Sequence, residues 1–154
     1  MNAQPDFFGT DQAEFVSFVS GSQGYCIEVA KVREIRRWSP VTTLPHAPNY
    51  FLGVMNLRGA VIPIIDLALR LGLAATVPTP RHVVLIVAAG DRTAGLLVDS
   101  VAQILKVPRE ALRGVPLLPK DASLLISGMI AHEGAALRVL DTDAVAPLLS
   151  EVPA

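Results

Sequence analysis

The chain has 154 residues, and 13 Lys and Arg against 14 Asp and Glu leave a net charge of −1, which argues against the clustered basic surface that nucleic-acid binding needs. Half of the residues (51%) are hydrophobic but only 5% are aromatic, so a core has to be built from Val, Leu, Ile and Ala within one compact domain or two small subdomains. Apolar runs are broken by Arg58, Asp66, Asp91 or Asp99 before the ~18–20 residues of a spanning helix. Met1–Thr10 is polar and acidic, unlike a secretory signal, and Cys26 is alone, which points to a soluble cytoplasmic protein without an internal disulfide.

In chain order, residues 1–12 read as a flexible terminus and 13–150 as the folded unit. Glu14–Val19 and Tyr25–Val29 form a predicted hairpin across Gly21-Ser22-Gln23-Gly24, and Val32–Trp38 a further strand. Val41–Pro48 is a Pro- and Thr-rich connection, and Asn49–Leu52 reads as one helical turn. Val54–Leu57 and Ala60–Ile65 flank Arg58-Gly59, a break that reads as a tight hairpin. Pro63 cannot donate to a ladder, so its strand is expected at an edge or a bulge. That strand is apolar at nearly every position, as expected when both faces are covered. Asp66 is placed to cap a short helix, Leu67–Leu71, which Gly72 ends. After the linker Ala75–Pro80 come strands at Val83–Val87, Thr93–Val98 and Val101–Val107, then a loop over Pro108–Pro119. Strands near Leu125–Ile130 and Ala136–Leu140 follow, and Asp141 caps a last helix through Leu149.

The two halves, 14–74 and 81–149, repeat one plan. Gly53, Gly59, Ala60, Ile62, Ile64, Ile65 and Asp66 recur 75 positions later as Gly128, Gly134, Ala135, Leu137, Val139, Leu140 and Asp141. Phe15–Val19 parallels Val83–Val87, and Tyr25–Val29 parallels Ala94–Val98. Short strands, glycine turns, few helices and an internal repeat predict an all-β fold of two small barrels.

Residues that could carry chemistry are scattered. His46, His82 and His132 show no metal-ligand spacing, and no Lys or His adjoins Cys26 to activate its thiol. Asp66 and Asp141 could be read as a carboxylate pair, but their matching places favour helix caps. There is no Gly-rich phosphate loop and no dinucleotide fingerprint. No cofactor, no metal and no enzymatic activity are expected.

Surface signals are stronger. Arg58 sits at a hairpin tip inside an apolar stretch, either as a solvated turn residue or as a contact. Val32, Ile35, Val83 and Val84 can be read as ordinary core or as apolar anchors; in a strand, Val83 and Val84 point to opposite faces.

Asn56-Leu57-Arg58-Gly59 followed by Ile62-Pro63-Ile64-Ile65-Asp66-Leu67 resembles the core motif of the CheW family, adaptors of bacterial chemosensory arrays. Tyr25–Ile35 resembles the family's upstream strand and turn, and Gly95–Val101 its downstream one, over roughly residues 14–149. The resemblance implies two five-stranded SH3-like barrels on a shared apolar seam, with strands able to cross between them. It implies a non-catalytic scaffold joining the cytoplasmic tip of a chemoreceptor to the regulatory domain of a CheA-like histidine kinase, without membrane insertion. Arg58 then occupies a signature position with Asn56 and Gly59, and Glu34 is expected to meet Arg58 across adjacent strands. Val32, Ile35, Val83 and Val84 match positions tied to a receptor-binding groove. Trp38-Ser39-Pro40 and Leu117-Leu118-Pro119 have no counterpart in the signature and are candidates for tuning partner choice. No receiver-like extension is present, so a CheV-like fusion is not expected. The alternatives are a barrel module binding a ligand or serving another signalling pathway, and an enzyme on the same scaffold.

Overall fold

The structure, a computed structural model, describes residues 12–114 and 125–145. The expectations for the N-terminal stretch, for Leu117–Pro119 and for a helix beyond Val145 lie outside the described residues. Eleven strands are described: β1 (Gln12–Ser20), β2 (Gln23–Glu28), β3 (Val32–Arg37), β4 (Phe51–Leu57), β5 (Ala60–Asp66), β6 (Val83–Ala89), β7 (Arg92–Val98), β8 (Ser100–Pro108), β9 (Leu112–Arg113), β10 (Ile126–His132) and β11 (Ala135–Leu140). Two one-turn helices, α1 (Leu67–Arg70) and α2 (Thr142–Val145), follow β5 and β11.

One sheet runs β3-β6-β7-β5-β4 and the other β9-β10-β11-β2-β1-β8. The N-terminal hairpin therefore joins the C-terminal strands, and β6–β7 join β4–β5. In each sheet one parallel contact links the two hairpins, β5 to β7 and β11 to β2. Both sheets close alike. Thr42, beyond the end of β3, bridges Val54 of β4, and Arg113 of β9 pairs with Met129 of β10, 75 positions after Val54. The sixth strand of the second sheet is thus the second segment of a closing strand. The architecture is two SH3-like barrels, as expected.

The repeated glycines at 53 and 128 serve this closure. A Cβ on Gly53, whose φ is +153°, would overlap the Thr42 carbonyl oxygen, and one on Gly128 would lie 2.8 Å from that of Arg113. Each glycine lets a closing segment cross its hairpin at a bulge, between Phe51 and Gly53 or between Ile126 and Gly128.

Strand alternation sorts the core into three parts. Ile62, Ile64, Val84, Ile86 and Leu97 fill the first barrel, and Phe15, Cys26, Leu105, Val107, Ile130 and Val139 fill the second. The opposite faces supply the seam: Val16, Phe18, Tyr25 and Ile27 from one sheet meet Ile65, Leu85, Val87, Leu96 and Val98 from the other. A strand such as β6 is buried on both faces, which is why its sequence does not alternate.

Three expectations are corrected. Of the two places expected for the Pro63 strand, β5, the edge is wrong, since β5 lies between β7 and β4, while a bulge does fall one pair from Pro63, between Phe51 and Gly53. Its parallel ladder to β7 begins only at Ile64, so the missing proline N–H falls where that side of the strand is unpaired. Residues 49–50 form a turn rather than a helix, with the Phe51 N–H donating to Pro48 O at 3.0 Å, and β4 starts at once. The early repeat is offset by 69, not 68. Ser17 pairs with Cys26 and Ile86 with Gly95, while Cys26 and Gly95 face the equivalent residues Val139 and Ile64. A slip of one residue exchanges core and seam faces, and apolar residues on both faces hide that slip in the sequence.

Two carboxylates at matching places act as caps. The Asp141 carboxylate accepts from the Asp143 and Ala144 N–H groups at 3.1 and 3.2 Å. Buried Asp66 accepts from Leu69 N–H at 3.4 Å and, more tightly, from the Thr76 N–H and hydroxyl at 2.7 and 2.8 Å, tying down the linker. Arg70 of α1 donates to the Ala144 and Val145 carbonyls of α2 at 3.0 Å each and lies over the Tyr50 ring.

Candidate protein-docking site at the first hairpin tip

The hairpin β4–β5 turns through Arg58 and Gly59, with φ of +52° and +88°. Two successive left-handed residues make a type I′ turn, whose twist matches the strands it joins. Glycine adopts that conformation freely, whereas an arginine there carries backbone strain. The Asn56 side-chain oxygen accepts from the Gly59 N–H at 3.0 Å, so Asn56 holds the turn. Arg58 is left 73% exposed, and its guanidinium donates to Glu34 Oε1 at 2.5 Å. Arg36 donates to the other carboxylate oxygen at 2.8 Å. The Arg58 hydrogen bond, with the Arg36 bond next, holds the Glu34 carboxyl below the usual glutamate range.

The pair forms, but not across adjacent strands. β3 and β4 are the two ends of the sheet order, brought together by barrel closure at Thr42–Val54. Arg36 was missed in the sequence, although its place two residues after Glu34 puts both on one strand face.

Directly paired residues point to the same side of a sheet, so ladder register separates the remaining candidates. Ile35 opposes Leu85 and Arg37 opposes Val83, which sets Ile35 and Val83 on the seam side. Val32, opposite Val87, packs against the seam as well. Ile35 is 48% exposed, while Val32 and Val83 are half-buried. Val84 opposes Arg36 and is enclosed in the first barrel without accessible surface. Its place is structural. The candidates thus form two neighbouring groups on β3 and around it: an apolar edge of Val32, Ile35 and Val83, and a polar rim of Glu34, Asn56, Arg58 and Gly59.

Groups suited to catalysis are not brought together there. Burial pushes the Cys26 thiol up to about 12, which leaves it unreactive. Among the described residues, no three His, Cys, Asp or Glu side chains gather to hold a metal ion, and no helix is long and apolar enough to cross a membrane.

The family model of the CheW-like domain matches residues 14–149. The chain is 43% identical over 135 residues to the chemotaxis protein CheW of Rhizobium meliloti, covering 87% of each chain. It is 48% identical over 108 residues to a probable chemotaxis protein CheW of Rhizobium etli, covering 70% of each. The crystal structure of the scaffolding protein TtCheW from Thermoanaerobacter tengcongensis superposes with a TM-score of 0.78, over 83% of this chain and 88% of that one, at 23% identity. A double barrel with a type I′ arginine tip, and a family match over nearly all of it, place this chain in the CheW-like family.

Proposed function

We propose that this chain is a non-catalytic adaptor that couples chemoreceptors to a CheA-like histidine kinase. The observation that carries the reading is the Glu34–Arg58 pair, held on the family's signature hairpin beside a solvent-facing apolar edge. The edge of Val32, Ile35 and Val83 suits the apolar stripe of a receptor's helical hairpin, and a few such anchors can carry most of an affinity. The strained Arg58, fixed by Glu34, presents a directed cation at the rim for the same helix or for the kinase regulatory domain. No bond is made or broken. Control of the kinase comes from which receptor conformation the assembled contacts favour. Many weak, linked contacts give an array its strength. The chain would work in the cytoplasm, recruited to receptor arrays at the membrane.

The test is binding of the purified chain to a receptor cytoplasmic tip and to the regulatory domain of a CheA-like histidine kinase. Binding of both is expected; failure to bind either one refutes the adaptor reading.

A further inference from the structure

The charge of the chain is unevenly placed. Arg33, Arg36, Arg37, Arg58 and Arg81 are five of its 13 basic residues, and they gather around β3. The Trp38 N–H donates to the His82 carbonyl at 2.9 Å, which brings Arg81 to the end of the β3–β6 ladder beside Arg37. Among the described residues, the carboxylates of Glu34 and Asp99 nearby are both engaged. Glu34 is shared between Arg36 and Arg58, and Asp99 faces the His82 ring at 3.7 Å and accepts from the Ser22 N–H. The Arg33 guanidinium donates to the neutral Ala30 carbonyl at 2.7 Å, and among the described residues it has no carboxylate partner. The exposed face of β3 therefore reads Arg33-Ile35-Arg37: an apolar side chain between two cations that form no ion pair among the described residues, with Val83 alongside.

The same strand in the second barrel lacks this pattern. With the 69-residue offset, Arg33, Ile35 and Arg37 correspond to Ala102, Ile104 and Lys106, and Lys106 already lies 3.9 Å from Glu14. The cationic frame is particular to the first barrel.

We infer that the β3 face selects a helix whose apolar anchor is flanked on the same side by carboxylates four residues before and four residues after it. Arg33 lies at the register shift between Val32 and Glu34, so along β3 it stands at most about 13 Å from Arg37. Carboxylates at those helical positions span about 12 Å and share one face with the anchor. The apolar residue seats on Ile35 and Val83 while each arginine takes one carboxylate. An anionic lipid surface would satisfy the arginines but would leave the ordered apolar centre without a matching knob. The identification of this helix with a receptor tip rests on the adaptor reading; the surface chemistry does not.

The full chain is titrated at low and high salt with two conformationally locked helical peptides sharing one apolar anchor, flanked by Glu in one and Gln in the other. In parallel it is offered the receptor cytoplasmic tip and vesicles of phosphatidylglycerol in phosphatidylcholine. The Glu peptide is expected to bind about tenfold tighter than the Gln peptide, and the difference to shrink at high salt. An Arg33→Glu/Arg37→Glu chain, checked for an unchanged melting temperature, should prefer a Lys-flanked peptide instead. Equal binding of the Glu and Gln peptides, no binding of the Glu peptide, no switch in the reversed chain, or tighter binding to vesicles than to peptide would each overturn the inference. A receptor tip that binds without regard to salt or to Arg33 and Arg37 also overturns it while leaving the adaptor reading intact. Glu-peptide binding with no binding to the tip supports the surface chemistry and refutes the adaptor.

Discussion

The two hairpins β4–β5 and β10–β11 are built on one frame and end in opposite charges. Both turn through a left-handed residue and a glycine, Arg58-Gly59 at φ +52° and +88° and Glu133-Gly134 at +50° and +78°. Both end in an aspartate that caps a helix. Around the first tip, Glu34 and Arg58 form an ion pair. At the equivalent positions of the second barrel stand Gln103 and Glu133, which line a surface cavity of about 230 Å³ with His132 and Leu137. What is shared builds a barrel; what differs is available for recognition. The second tip keeps the strained turn without the arginine, so the turn belongs to the scaffold and the cation to the site.

Changes to the shared frame should cost the most. Gly53→Ala and Gly128→Ala each force a Cβ against a closing-segment carbonyl and should each destabilise the chain by about 1–3 kcal/mol in denaturant unfolding. A neutral Gly128→Ala would show that the two barrels are not closed in the same way. Next in size is recognition. Arg58→Glu should weaken binding to the receptor tip or the kinase domain by about tenfold or more, with the melting temperature unchanged, since an exposed turn arginine supports little core. Glu133→Arg should leave that contact alone, and an equal loss would erase the distinction between the tips. Smaller still, Arg58→Asn and Glu133→Asn should each stabilise the fold by about 0.5–1 kcal/mol, because asparagine tolerates the left-handed conformation. For Arg58 that gain should accompany weaker binding.

The smallest effect is on protonation. Glu34 has a lowered folded-state pKa, held down first by the Arg58 hydrogen bond and then by that of Arg36. Its contribution is therefore present above the ordinary glutamate value and is lost as pH falls through the depressed midpoint. An NMR titration should find that midpoint below the usual range, and Arg58→Gln should raise it.

Much of this was legible in the sequence because glycine and aspartate spacing records backbone demands. The Gly53/Gly128 and Asp66/Asp141 pairs give the barrel plan and the caps directly. Arg58 could be placed at a hairpin tip from Arg-Gly between two apolar runs, and the strand alternation already set Val83 and Val84 on opposite faces. Which of the two was enclosed could not be read, since β6 is buried on both sides and carries no polar face to fix its orientation. Whether Pro63 marks an edge or a bulge could not be read for a related reason: a ladder that starts one residue later leaves no mark on local composition. Closure of the barrel, which brings Glu34 to Arg58, depends on a bridge from Thr42 to Val54 that no local pattern announces.

The most direct test of a site concentrated at the first tip is a double-mutant cycle of Glu34→Gln and Arg58→Gln, read as affinity for the receptor tip and for the kinase regulatory domain. If Glu34 positions Arg58 for a partner, each single change weakens binding to at least one of them, and the double variant binds that partner no worse than the weaker single. Losses that simply add, with no coupling for either partner, would contradict the account.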